Sequence, residues 1–234
     1  MKKGFTLLEL SIVLVIIGLI IGGIVAGQEL IRSSQLSRIV SDTTKLEATM
    51  GNFYLKYGSL PGDLENAYDY WGATCGTDTS GTSASCNGDG SGIFNGFNEV
   101  VEFAHHLSLA GMIPGNYTGT YGAGTVADPY YTDELVETEL DGVFRPWYTA
   151  TKVHNKNKTN YWIISALSSV GNTGVGFLTP AEAISVDQKL DDGVIDGGSL
   201  YISGCTAGTA TEPTIDLSGT SRSCWMAYWL DKPK

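Results

Sequence analysis

Basic residues are scarce. Fourteen Lys and Arg stand against 25 Asp and Glu, a net charge of −11 over 234 residues. A chain without a basic excess cannot neutralise a phosphate backbone, which excludes a nucleic-acid binder working through a basic face. The same deficit disfavours adhesion to anionic lipid through a basic surface. Charge of either sign is sparse, at 17% of residues, against about a quarter in ordinary soluble chains. Histidine is limited to His105, His106 and His154. Neighbours on a helix face apart, so His105 and His106 do not share a metal; one is expected packed and the other solvated. No G-x-S-x-G, phosphate loop, dinucleotide fingerprint or C-x2-C zinc spacing occurs. With no catalytic constellation, an enzyme is not expected.

Apolar residues are plentiful in one place. Leu10 to Gln28 is a run of 19 residues without a charge, about 28 Å as helix and close to the thickness of a hydrocarbon core. Lys2 and Lys3 precede it and the next basic residue is Arg32, so the N-terminus is expected in the cytoplasm and the remainder across the membrane. A secretory signal cut near Val25-Ala26-Gly27 is one reading. However, the stretch from Phe5 to Val25 has 21 residues, longer than the usual ~7–15. A plain membrane anchor is another. Both leave Glu9 unexplained, because an acid in a bilayer costs up to about 2.5–3.5 kcal/mol and marks function.

The string Lys2-Lys3-Gly4-Phe5-Thr6-Leu7-Leu8-Glu9 closely resembles the prepilin leader of type IV pilins and type II secretion pseudopilins. The resemblance implies that prepilin peptidase cuts after Gly4, that the new N-terminal Phe5 is N-methylated, and that the apolar stretch is retained. A free Phe5 amine is cationic below about pH 8. In hydrocarbon, that amine and the Glu9 carboxylate each favour meeting the other. Pairing Glu9 of an incoming subunit with the Phe5 amine of one already placed would set the axial register of a filament. Many members carry a Pro about where Ala26 stands. This chain instead has Gly18, Gly22, Gly23 and Gly27. Their small-xxx-small spacing suits close helix approach, and clustered Gly weakens helix locally, although Gly is also simply common in membrane helices.

After Gln28 the pattern turns amphipathic. Leu36, Ile39, Thr43, Leu46, Met50, Phe53 and Tyr57 fall on one helix face, and Gly58 with Pro61-Gly62 ends the helix. A short coiled coil competes as an account of this stripe. The favoured layout is α+β: a long N-terminal helix, transmembrane in its first half and amphipathic in its second, packed on a small antiparallel sheet head. The expected divisions are a leader at 1–4, a transmembrane and filament-core helix at 5–28, its amphipathic half at 29–58, and a globular head at 59–234.

Within the head, Asp63 is expected to cap a short helix over 63–68, and a second helix is expected over 99–112. Strands are expected at 142–149, 161–167, 199–203 and 223–230. The capping box Thr179-Pro180-Ala181-Glu182 starts a helix to about Leu190. Cysteines Cys75, Cys86, Cys205 and Cys224 follow the membrane segment and allow three pairings. The local scheme, Cys75 with Cys86 and Cys205 with Cys224, is preferred because each closes a short Gly-rich stretch with little to bury, for about 3 kcal/mol per bridge. By resemblance, Cys205 and Cys224 match the pair bounding a variable surface loop near the C-terminus of type IV pilins.

Two acidic loops are candidates for calcium. Asn87, Asp89 and Ser91 alternate oxygen side chains and Gly92 stands sixth, as in a calcium loop, but Glu99 comes one residue late. Asp187, Asp191, Asp192 and Asp196 form the second. Asp and Asn beside Gly are also ordinary turn formers. The resemblance implies a structural subunit in a filament of this chain and related pilins, built from the inner membrane by an assembly platform and ending in the periplasm or outside the cell. A minor pseudopilin of type II secretion, or a membrane-tethered ligand-binding module, are the alternatives.

Overall fold

The computed structural model describes residues 6–75, 86–94, 96–119, 134–138, 140, 142–149, 159–166, 175–195, 197–209 and 212–230. Helix α1 runs Leu7–Tyr57, 51 residues and about 77 Å. Gly58 stops it in the left-handed conformation, φ 78°, with its N–H on the Tyr54 carbonyl, a geometry a side chain would strain.

The two halves of α1 meet different surroundings. From Leu7 to Val25 every large apolar side chain is exposed. By length and composition this segment can cross a membrane. From Leu36 onward one stripe is buried: Leu36, Ile39, Thr43, Leu46, Met50 and Phe53. Thr43 is tolerated there because its hydroxyl donates to the Ile39 carbonyl at 2.8 Å, leaving only its methyl to the core.

The stripe shares one core with an antiparallel sheet. Strands β1 (Val136–Glu137), β2 (Gly142–Thr149), β3 (Thr159–Ala166), β4 (Leu200–Ser203) and β7 (Trp225–Trp229) lie in the order β1-β2-β3-β7-β4. One row crosses it: Phe144, Ile164, Met226 and Ile202 stand opposite one another in register, and all four are buried. Trp162 on the central strand packs edge-on against Phe103 at 4.7 Å. Strands β5 (Thr206–Thr209) and β6 (Glu212–Ile215) form a separate hairpin, which lies between Cys205 and Cys224.

Helix α2 is Ala67–Trp71, with a short 3-10 turn Gly72–Cys75 after it; α3 is Phe97–Leu109 and α4 is Pro180–Leu190. Thr179 and Glu182 close a reciprocal capping box at the start of α4. Asp63 does not cap α2. The helix begins after Asn66, and the Asp63 carboxylate is buried, accepting the Ser91 and Gly92 N–H groups at 2.9 and 2.8 Å. A buried carboxylate needs donors, and the Gly-rich loop supplies them. Helix α3 stops before Met112 because Gly111 turns left-handed at φ 69°. His105 is not solvated: both His105 and His106 are buried, His105 with its Nδ1 2.8 Å from Glu102 on the same helix.

Candidate functional site

Gly4 and Phe5 lie outside the described residues, as do Asp196 and His154. The first described residue, Thr6, is the N-cap of α1. Its hydroxyl accepts the Glu9 N–H at 3.2 Å, while its own N–H and hydroxyl each donate to Glu9 Oε2 at 2.8 Å. Glu9 thus stands on the first turn, next to the point where Phe5 joins. This places the acid at the positive end of the helix dipole, where a carboxylate is favoured.

Beyond Glu9 the apolar face has no partner among the described residues of its own chain. Gly18, Gly22, Gly23 and Gly27 sit on α1 with nothing near the position of an added Cβ, so among the described residues no contact requires them to be small. A surface this apolar is buried by lipid, by other copies, or by both in turn.

Just past the apolar run, Arg32 grips Glu182 on α4 through two bonds, with Nη2 2.8 Å from Oε2. Partial burial works against the charged form of Glu182, but the Arg32 guanidinium and the Thr179 N–H hold its carboxyl below the ordinary range. Lys189 of α4 reaches Ser37 of α1 at 3.1 Å. These two polar contacts add to the buried α1 stripe that joins the helix to the head.

The loop after the first disulfide is held from within. Cys75 is bonded to Cys86 and Cys205 to Cys224. His106 Nδ1 accepts the Gly62 N–H at 2.8 Å, so Nε2 carries the proton and donates to the Cys86 carbonyl at 2.7 Å. Burial pushes the His106 pKa down to about 4. The unfolded chain binds this proton near pH 6.5 and the folded one only near pH 4. The contribution of His106 to stability is therefore complete above pH 6.5 and is lost as pH falls toward 4. NMR of the imidazole nitrogens is expected to show a neutral Nε2–H ring persisting at pH 5; an imidazolium there would contradict the arrangement.

The first acidic loop gathers Asp89 and Glu99 with Asp63, their carboxylates within 4.8 Å of one another. Burial above all, and then Asp89, raise the Asp63 pKa to about 6, against the Gly92 and Ser91 N–H bonds. Asn87 points elsewhere, its Oδ1 accepting the Tyr68 N–H at 2.8 Å. Ser91 gives its N–H to Asp63 and Asp89. The cluster is an internally bonded loop anchor. Asp63 is absent from the sequence-based set because its donors lie 28 and 29 residues downstream. The second loop brings Asp187, Asp191 and Asp192 together.

Residues 1–25 match the family model described as the prokaryotic N-terminal methylation motif, the leader of type IV pilins and pseudopilins. The motif supports a protein of the type IV pilin or pseudopilin class, normally structural rather than enzymatic. No curated protein and no solved structure matches the chain.

Proposed function

We propose that this chain is the structural subunit of a type IV pilus-like filament. It is made as an inner-membrane precursor, cut after Gly4 by prepilin peptidase, methylated at Phe5 and added to a polymer of itself and related pilins by an inner-membrane assembly platform. One observation carries the reading. The methylation motif at 1–25 overlaps a helix whose apolar first half has no partner among the described residues of its own chain. Lipid is as apolar as the helices, so close helix packing and the pairing of Glu9 with the Phe5 amine, rather than removal of apolar surface from water, would drive the move from membrane to polymer. The acidic head is left outside, where like charge keeps it soluble.

Mass spectrometry of the intact chain from membranes or sheared surface material is the test. The expected product starts at Phe5 and carries one added methyl group. A product starting at Gln28, or an uncut one starting at Met1, would refute the reading. A minor pseudopilin of type II secretion is the second reading, favoured by the large head. The Cys205–Cys224 bond, closing a hairpin near the C-terminus, supports the pilus.

A further inference from the structure

We infer that the loop closing the end of α4 is a binding site for a hard divalent cation of calcium's kind, held by Asp187, Asp191 and Asp192. The observation that points to a ligand is Asp187. It sits on the last turns of α4 with none of its surface exposed, and among the described residues neither carboxylate oxygen makes a hydrogen bond of ordinary geometry, the Gly193 N–H lying only near enough to favour its charge. An ionised carboxylate in that position costs several kcal/mol unless something compensates it. The end of a helix makes matters worse, because the dipole there is negative.

The neighbours that should relieve this group instead share its charge. The carboxylates of Asp191 and Asp192 come within 4.8 Å of that of Asp187. Burial first, and then Asp192 and Asp191, drive the Asp187 pKa to about 7, with only the Gly193 N–H pulling the other way. Among the described residues no ion pair involves any of the three acids; Lys189, the nearest cation in sequence, turns to Ser37 on α1.

The two outer acids are aimed. Asp191 Oδ2 accepts the Ser199 and Leu200 N–H groups, and Asp192 Oδ1 accepts the Val194 N–H at 2.8 Å. Each keeps its second oxygen without such a bond among the described residues. Gly197 and Gly198 let the returning chain pass directly over these carboxylates; a Cβ at Gly197 would sit 2.5 Å from Asp192 Oδ2.

The donor set is all oxygen, with no thiol or imidazole, which selects hard cations over zinc. Three carboxylates on an irregular loop suit calcium, which accepts six to eight oxygens in flexible geometry and completes its shell with carbonyls and water. Magnesium demands a regular octahedron. A cation here would join the end of α4 to the start of β4, since Asp191 already holds Ser199 and Leu200. It would thereby brace the helix that Arg32 and Ser37 of α1 lean on. The site is independent of whether the chain polymerises.

The test uses the full chain in detergent, stripped with EDTA and melted with and without calcium. At a hundredfold excess over Kd the melting temperature is expected to rise by roughly 5–10 °C. Magnesium at equal concentration should give a smaller rise. In Asp187→Asn, where a buried charge is removed at constant shape, the cation-free protein should melt no lower than the parent, and the calcium rise should vanish. Asp192→Asn, at an exposed position, should weaken calcium binding without touching the core. No rise in the parent, an equal rise in Asp187→Asn and Asp192→Asn, or a larger rise with magnesium would overturn the assignment.

Discussion

Replacing Glu9 by Gln is expected to abolish recoverable filaments while the protein persists in the membrane at its usual level. Glu9 accepts Thr6 in the separate chain, so the helix start tolerates the change; losing such a capping contact costs about 0.5–2 kcal/mol at an end that frays in any case. The polymer has no such tolerance. There the Phe5 amine of one subunit would face a neutral amide in a surrounding of packed apolar helices. Removing one member of a buried charged pair costs about 2–5 kcal/mol per contact, or roughly a 30- to 4,000-fold loss of subunit affinity, repeated at every step of growth. Electron microscopy and immunoblotting of sheared material against the membrane fraction read the result. Normal filament yield from Glu9→Gln would show that the acid plays no part in assembly. The conservative Glu9→Asp is expected to recover part of the yield, since it keeps the charge and shortens its reach.

Phe53→Ala is expected to loosen the packing of α1 on the head severely. Phe53 is completely buried on α1. Its ring lies 4.5 Å from Tyr57, 6.4 Å from Trp71 and 6.2 Å from His106. One side chain therefore joins α1 to α2 and α3, and the lost contacts fall on elements that have few others with α1. Truncating a buried Phe costs about 3–5 kcal/mol, which for a head of this size lowers the melting temperature by roughly 6–20 °C. Thermal melting of the full chain in detergent, followed by near-ultraviolet circular dichroism, measures it. A fall of less than about 3 °C would mean that the cluster repacks around the void.

The long helix was legible because its signals are local. An uninterrupted apolar run, a stripe from Leu36 to Phe53 and a glycine at 58 each need only near neighbours to be read. The same holds for the leader and for the capping box at Thr179. The strands at 142–149 and 199–203 showed themselves through β-branched and aromatic residues. What stayed hidden depended on distant partners. Strand β1 is two residues long and exists because β2 pairs with it. The β5–β6 hairpin has Thr-Ala-Gly-Thr on one side and Glu-Pro-Thr-Ile on the other, with no alternation to read. Asp63 looked like a cap because Ser, Asp and Asn before a helix usually are, yet its donors come from a loop far along the chain. One histidine of the pair His105 and His106 is expected solvated because helical period alone does not reveal that Glu102 is buried beside His105. Burial raises the Glu102 pKa to about 7 against the hydrogen bond from His105. Among the acids, the sequence reveals a cluster at 187–192 but not that Asp187 is sealed from water, the property on which any ion affinity would rest.

The four glycines of the apolar segment have a mechanical consequence. Each costs the helix about 1 kcal/mol relative to Ala, and among the described residues none is offset by packing. The ten residues from 18 to 27 span about 15 Å as helix but up to about 33 Å when drawn out. The Arg32–Glu182 grip lies immediately beyond them. In the proposed filament, tension along α1 would therefore find its most compliant stretch below the clamp and lengthen it there while each head kept its shape.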